Sequence, residues 1–221
     1  MPRKPRVHFP GAVYHVITRG NNQDKIFASK KDKHYYLDKI NELRLKFIFE
    51  LLIYAVMDNH SHLTIRVENT PLSKIMHHLQ QSYAIYYNRE YNQSGHVFEN
   101  RYKAYLCDND RYLLALLRYI HLNPFSAKIT SDLEYPWSSH GHYSGKIKNN
   151  LVSKSLIYQI LLQEQDLDPA AAYLLFMKQT TEDLPLPRYL SSLEEKPHEI
   201  KIAADDLFQM IEKISTSHNI E

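Results

Sequence analysis

Hydrophobic and polar positions change period several times along the chain, and each change marks an element. Ala12 to Thr18 (AVYHVIT) alternates and is rich in β-branched and aromatic residues, which predicts a strand closed by Arg19-Gly20-Asn21-Asn22. Lys30 to Phe47 follows with Tyr36, Leu37, Ile40, Leu43 and Phe47 on one helical stripe, and Ser29 or Asp32 is placed to cap it. Phe49 to Met57 (FELLIYAVM) is a nearly continuous apolar run, the pattern of a central strand, and Asp58-Asn59 is a turn signal. His60 to Val67 (HSHLTIRV) is the next strand. With so short a connection the two strands form an antiparallel hairpin, and His60, His62, Thr64 and Arg66 share a face.

Leu72 to Tyr91 predicts a second long helix, entered at Pro71, with Leu72, Ile75, Met76, Leu79, Tyr83 and Tyr86 as its apolar stripe. After the break at Gln93-Ser94-Gly95, His96 to Cys107 (HVFENRYKAYLC) predicts a strand or paired strands. Arg101 and Lys103 then share one face and Tyr102 takes the other. Asp108 or Asp110 caps a third helix that runs to Leu122 and is closed by Asn123-Pro124. The order strand, helix, strand, strand, helix, strand, helix favours an α+β fold with a ferredoxin-like antiparallel sheet packed with helices.

Past Trp137 the pattern weakens. Leu151 to Gln163 and Pro169 to Met177 predict short helices, Thr180 to Pro197 reads as a proline-bearing linker, and Ala203 to Ser215 as a last helix. The expected division is a main domain over residues 1–148 and a mainly helical extension over 149–221.

Composition places the chain among ordinary globular proteins, 43% hydrophobic and 24% charged. Its single cysteine, Cys107, rules out an intramolecular disulfide or a multi-cysteine zinc site. Neither a secretory leader nor an apolar run of membrane-spanning length is present, so the expected location is cytoplasmic. The net charge of +2 conceals an asymmetry: residues 1–124 hold 18 Lys and Arg against 11 Asp and Glu, and the remainder holds 9 against 14. The basic part also carries 12 of the 17 tyrosines, which suits a phosphate-binding surface with aromatic platforms as well as it suits a solvated basic face.

Two constellations carry candidate chemistry. His60 and His62, at i and i+2 of a strand, project from one face about 6.5–7 Å apart along the chain, close enough to converge on one divalent ion. A bare H-x-H is equally compatible with solvated or locally hydrogen-bonded rings. In the third helix Tyr112, Tyr119 and Asn123 fall near one face, with Tyr119 and Asn123 one turn apart. A tyrosine there can also be a packed rim residue with a wet hydroxyl.

Taken together, five ordered blocks resemble the single-tyrosine HUH transposases, in particular the branch associated with repetitive extragenic palindromes. They are Ala12 to Asn21 (AVYHVITRGN), Val56 to Leu63 (VMDNHSHL), Ser94 to Arg101 (SGHVFENR), Tyr112 to Pro124 (YLLALLRYIHLNP) and Tyr135 to Ser139 (YPWSS). The resemblance covers roughly residues 7–145. It implies a ferredoxin-like sheet carrying the histidine pair and a helix presenting the nucleophile. By motif position His60 and His62 are then metal ligands, Tyr119 the nucleophile and Asn123 the third protein ligand, with Tyr112 the competing tyrosine. Ser61 departs from the bulky residue usual between the histidines, and as the alternate strand position it is expected to point away from the metal. His15, His96 and His121 are expected to pack or hydrogen-bond and not to enlarge the metal site.

The implied activity is metal-dependent endonuclease and strand-transfer chemistry on single-stranded, hairpin-flanked DNA through a 5′-phosphotyrosine. A phenol of pKa about 10 needs a nearby cation or base to act as nucleophile at neutral pH. Two neutral imidazoles and an amide oxygen suit Mg²⁺ or Mn²⁺. Arg19, Asn21, Arg101, Lys103, Arg111 and Arg118 are candidate phosphate contacts, and Tyr102 and Tyr105 candidate base-stacking platforms. Family members act as monomers or as dimers, so a homodimer stays open. Two rivals are a palindrome-binding protein that nicks nothing and a metal phosphodiesterase that uses water.

Overall fold

A computed structural model describes residues 8–163 and 166–178. The linker and last helix expected beyond residue 180 lie outside the described residues. Contacts divide the chain into two compact units that interleave in sequence. The first holds the residues up to Asp108 together with Trp137–Ser139 and Asn149–Ser153; the second holds Asn109–Pro136, His140–Lys148 and the residues from Lys154 onward.

The first unit is built on strands β1 (Val13–Arg19), β2 (Phe49–Val56), β3 (His60–Val67) and β4 (Lys103–Cys107). They form one sheet in the order β2-β3-β1-β4, every pairing antiparallel, which with the helices between them is the expected ferredoxin-like arrangement. β2 is buried along nearly its whole length because it is apolar on both faces, and each fully buried Leu or Ile there contributes about 1.5–3 kcal/mol. On its outer edge the Val56 N–H donates to the Trp137 carbonyl at 2.9 Å, and the Ser139 N–H donates to the Tyr54 carbonyl at 2.9 Å. Trp137 to Ser139 of the YPWSS block thus extend the sheet, a pairing that the sequence pattern does not announce.

Helices α1 (Lys30–Phe47) and α2 (Leu72–Glu90) cover one face of the sheet. α1 starts where its cap does: Ser29 Oγ accepts from the Asp32 N–H at 3.0 Å, and Asp32 Oδ2 accepts from the Ser29 N–H at 3.1 Å. Such a reciprocal cap stabilises a helix by about 1 kcal/mol. Tyr36, Ile40, Leu43 and Phe47 form the buried stripe. The Asp32 carboxylate also accepts from the Tyr86 and Tyr91 hydroxyls at 3.0 and 2.7 Å, tying α1 to α2.

The His96–Cys107 stretch is strand only over β4; its earlier part is irregular and touches the sheet through a single bridge between Phe98 and Gly20. Gly20 is required there, since a Cβ would lie 2.3 Å from the Asp24 carbonyl oxygen.

In the second unit α3 (Asp110–Ser126) is capped by neither predicted aspartate. Asn109 accepts from the Tyr112 N–H at 2.8 Å. Nor does the helix close at Asn123-Pro124: Pro124 lies inside it, and the Ala127 N–H still reaches the Asn123 carbonyl at 2.9 Å. Proline forfeits one intrahelical hydrogen bond, and burial of Leu122 and Pro124 within the last turn offsets that loss. Among the described residues after Trp137 the chain forms α4 (His140–Tyr143), α5 (Ser155–Leu161) and α6 (Pro169–Lys178). Among the described residues no helix is long and apolar enough to cross a membrane.

Candidate functional site

The register of β1, β3 and β4 decides which side chains meet. Arg19 pairs with His60, Ile17 with His62 and Lys103, and His15 with Thr64 and Tyr105. All of these lie on the face opposite α1 and α2, because Thr18, Ser61 and Tyr36 of α1 meet on the helix-covered side. Ser61 Oγ is 2.7 Å from Thr18 Oγ1 and 3.0 Å from the Tyr36 hydroxyl. The small residue between the histidines leaves room for a hydroxyl network beneath a fully buried Tyr36, which explains the departure from the bulky residue expected there.

On the opposite face three imidazoles form a row. His60 and His62 have ring centroids 5.0 Å apart. His62 stacks on His15 at 5.2 Å, with Nδ1 of His62 3.0 Å from Nε2 of His15. Nδ1 of His60 lies 2.7 Å from Oδ1 of Asn59. Both predicted ligand histidines therefore have a hydrogen-bond partner at Nδ1. Burial keeps His62 and His15 neutral: desolvation, reinforced by the neighbouring His60 and His15, holds His62 well below its ordinary value, and desolvation pulls His15 down to about 3.

The hairpin turn before His60 is braced from α1. Lys33, buried in the first turns of that helix, donates to Asp58 Oδ1 at 2.7 Å. The Gly20 N–H donates to the Asn59 carbonyl at 2.8 Å. Lys33, Asp58 and Asn59 escaped the sequence reading. The signal available was Asp58-Asn59 immediately before the histidine pair, read only as a turn.

In the second unit Tyr119 is buried at 6% exposure and Asn123 is half-buried, one helical turn apart and both in helical geometry. Tyr112 lies two turns earlier, in the first turn of α3. Among the described residues no group of three His, Cys, Asp or Glu is spaced to hold a metal ion. A site centred on His60 and His62 needs a further ligand of another kind, such as an amide.

The candidate DNA contacts separate into two sets. Arg19, Lys103 and Tyr105 share the histidine face, and Arg19 Nε is buried without a hydrogen bond among the described residues. Arg101 and Arg111 are exposed, and Asn21 is half-buried in the turn after β1. Arg118 is a correction: it is 4% exposed, its guanidinium donates to the Phe176 carbonyl and lies 4.9 Å over the Phe176 ring. Tyr102 is a second correction, for at 5% exposure it is buried, its N–H facing Gln80 Oε1 at 3.4 Å, and it offers no platform for a base. Both residues sit where strand or helix alternation was extrapolated beyond the packing that decides it.

Comparison with known proteins places this geometry. No curated protein matches the chain. Among solved structures, a REP-associated tyrosine transposase bound to a REP hairpin has the same fold, with a TM-score of 0.56 at 13% identity over 70% of this chain and 96% of that one. A transposase structure from Deinococcus radiodurans, described as putative in its own name, is 14% identical over 54% of this chain and 95% of that one. The tRNA(His) guanylyltransferase of Saccharomyces cerevisiae is 8% identical over 80% of this chain and 76% of its own; both of these lie at a TM-score of 0.40 and add nothing to the assignment. The sequence profile of the family described as "Transposase IS200 like" matches residues 9–123, more than half of the chain. The chain belongs to the IS200-like transposase family and is a DNA transposase.

Proposed function

We propose that this transposase cuts and rejoins single-stranded DNA beside hairpins, using Tyr119 as nucleophile and a divalent ion held by His60, His62 and Asn123. The observation that carries the reading is the histidine pair itself: two imidazoles on one sheet face, each with a hydrogen-bond partner at Nδ1. Two neutral imidazoles and an amide oxygen fit Mg²⁺ or Mn²⁺. When bound, such an ion supplies Lewis-acid polarisation of the scissile phosphate and favours the phenolate.

The chain's own residues do the rest. The Tyr119 oxygen forms a bond to phosphorus as its phenolic proton is given up. The bond from phosphorus to the 3′ oxygen breaks, and that oxygen keeps the electron pair and takes up a proton. The products are a 5′-phosphotyrosine and a free 3′-hydroxyl. Because the phosphodiester is exchanged for a phosphotyrosine ester, attack by a 3′-hydroxyl reverses the step and joins strands without a nucleotide cofactor. In this reading Arg19 and Lys103 hold phosphate oxygens and Tyr105 stacks a base, a reading supported by the register that puts all three on the histidine face. The REP hairpin held by the similar solved structure supports a hairpin as the substrate class and the REP-associated branch as the chain's place in its family.

The test is incubation of wild type and Tyr119→Phe with Mn²⁺ and labelled single-stranded hairpin DNA from the gene's own flanks, resolved on a denaturing protein gel. A labelled adduct in wild type alone supports the reading. Cleavage by both proteins without an adduct transfers the role of nucleophile to water. Binding by both without cleavage overturns the nuclease reading in favour of a palindrome-binding protein.

A further inference from the structure

His60 and His62 are held by unlike partners. Nδ1 of His60 faces an amide oxygen, Oδ1 of Asn59, which can only accept, so in the neutral ring Nδ1 carries the proton. The partner of His62 is another imidazole, Nε2 of His15, which can donate or accept. If His15 donates, the proton of His62 sits on Nε2 and that nitrogen cannot ligate. If His15 accepts, the proton of His62 sits on Nδ1 and Nε2 can.

We propose that His15 is a positioning residue that accepts the Nδ1 proton of His62 and so sets the tautomer and ring orientation in which His62 binds the metal. This rests on the metal site proposed above. Three features of the structure support it. The β1–β3 register places His15 diagonal to His62, two strand positions from its direct partner Ile17, so the backbone brings the rings together. The rings are nearly parallel, at an interplanar angle of 15°, with centroids 5.2 Å apart and the two nitrogens 3.0 Å apart, within hydrogen-bond reach. Both rings are buried, at 0% and 3% exposure, so bulk water does not stand in for either partner.

The step is only a choice between tautomers of neutral rings and involves no net gain or loss of a proton. It gives a structural reason for a histidine in β1 that no metal-ligand role requires. Asparagine or glutamine at residue 15 would offer an amide oxygen for the same purpose, and phenylalanine would offer the ring without the acceptor.

The experiment is Mn²⁺ titration of the full chain, free Mn²⁺ being read by electron paramagnetic resonance, for wild type, His15→Phe, His15→Gln and His60→Ala. Hairpin affinity in the absence of metal serves as the check of folding. His15→Phe is expected to weaken Mn²⁺ binding by about 10- to 100-fold, as loss of a ligand's hydrogen-bond partner does, while His15→Gln recovers most of it. Long-range ¹⁵N correlation of Mg²⁺-loaded wild type is expected to show His62 protonated at Nδ1. Equal Mn²⁺ affinity in wild type and His15→Phe, or equal losses in the Phe and Gln variants, overturns the positioning role while leaving the metal site standing. No Mn²⁺ binding by wild type overturns the metal site and this proposal together.

Discussion

The Tyr173 hydroxyl lies 2.9 Å from Nδ1 of His121, which stands two residues beyond Tyr119 on α3. The same hydroxyl lies 2.7 Å from Nδ1 of His140, so one oxygen bridges two imidazoles, donating to one and accepting from the other. Next to this bridge, Arg118 donates to the Phe176 carbonyl from the same helix. α6, which falls beyond the residues matched by the family, thereby grips α3 on both sides of Tyr119. α6 thus braces the helix that carries the proposed nucleophile.

Replacing Tyr173 by Phe removes the bridging hydroxyl and leaves two buried imidazole nitrogens without it. The expected loss is about 1–3 kcal/mol, read by urea denaturation. A double-mutant cycle with His121→Phe should show strong non-additivity. Additive effects would mean that the hydroxyl bond to His121 contributes nothing.

Arg118 and Arg19 should behave as opposites. Arg118→Met is expected to lower stability and leave the salt dependence of hairpin binding unchanged, because its guanidinium is spent on Phe176. Arg19→Ala and Lys103→Ala are expected to leave stability nearly unchanged and each to flatten the slope of log affinity against log salt by about 1. A flattened slope for Arg118→Met would put that residue back on the DNA.

Acid should destabilise the protein from the neutral side. Burial holds His62 and His121 well below their ordinary value, His15 at about 3 and His142 at about 4. Each stays neutral in the fold while the unfolded chain takes up a proton near pH 6.5, so below that pH the unfolded state binds more protons. Their contribution is whole above about pH 6.5 and shrinks as pH falls, by up to about 1.4 kcal/mol per pH unit per histidine, until the folded value is passed. Denaturation midpoints at pH 7.5, 6.0 and 5.0 check this. Equal stability at all three would contradict the buried neutral state of these rings.

Ser61→Ala should cost about 1–2 kcal/mol, since it strips partners from Thr18 and from Tyr36 in a dry layer. Mn²⁺ affinity should not move, because Ser61 faces α1 while its neighbours His60 and His62 face the other way. A parallel fall in metal affinity would show that the two faces are coupled through β3.

The information legible in the chain alone is local. The bounds of α1 and β3 and the shared face of His60, His62, Thr64 and Arg66 follow from period, and the Ser29 cap from a side chain reaching backbone three residues away. Five ordered motifs identify the family and single out Tyr119, His60 and His62 as candidates. The remaining features depend on pairings between residues far apart in the chain. Strand register brought His15 to His62 across 47 positions, and Lys33 came to Asp58 across 25. Packing kept α3 helical through Pro124 and sent Arg118 and Tyr102 inward, against the exposure their polar groups suggest. Period and caps act within one or two turns of chain. Burial and cross-strand contact arise only when separate elements close on each other, so no single segment encodes them.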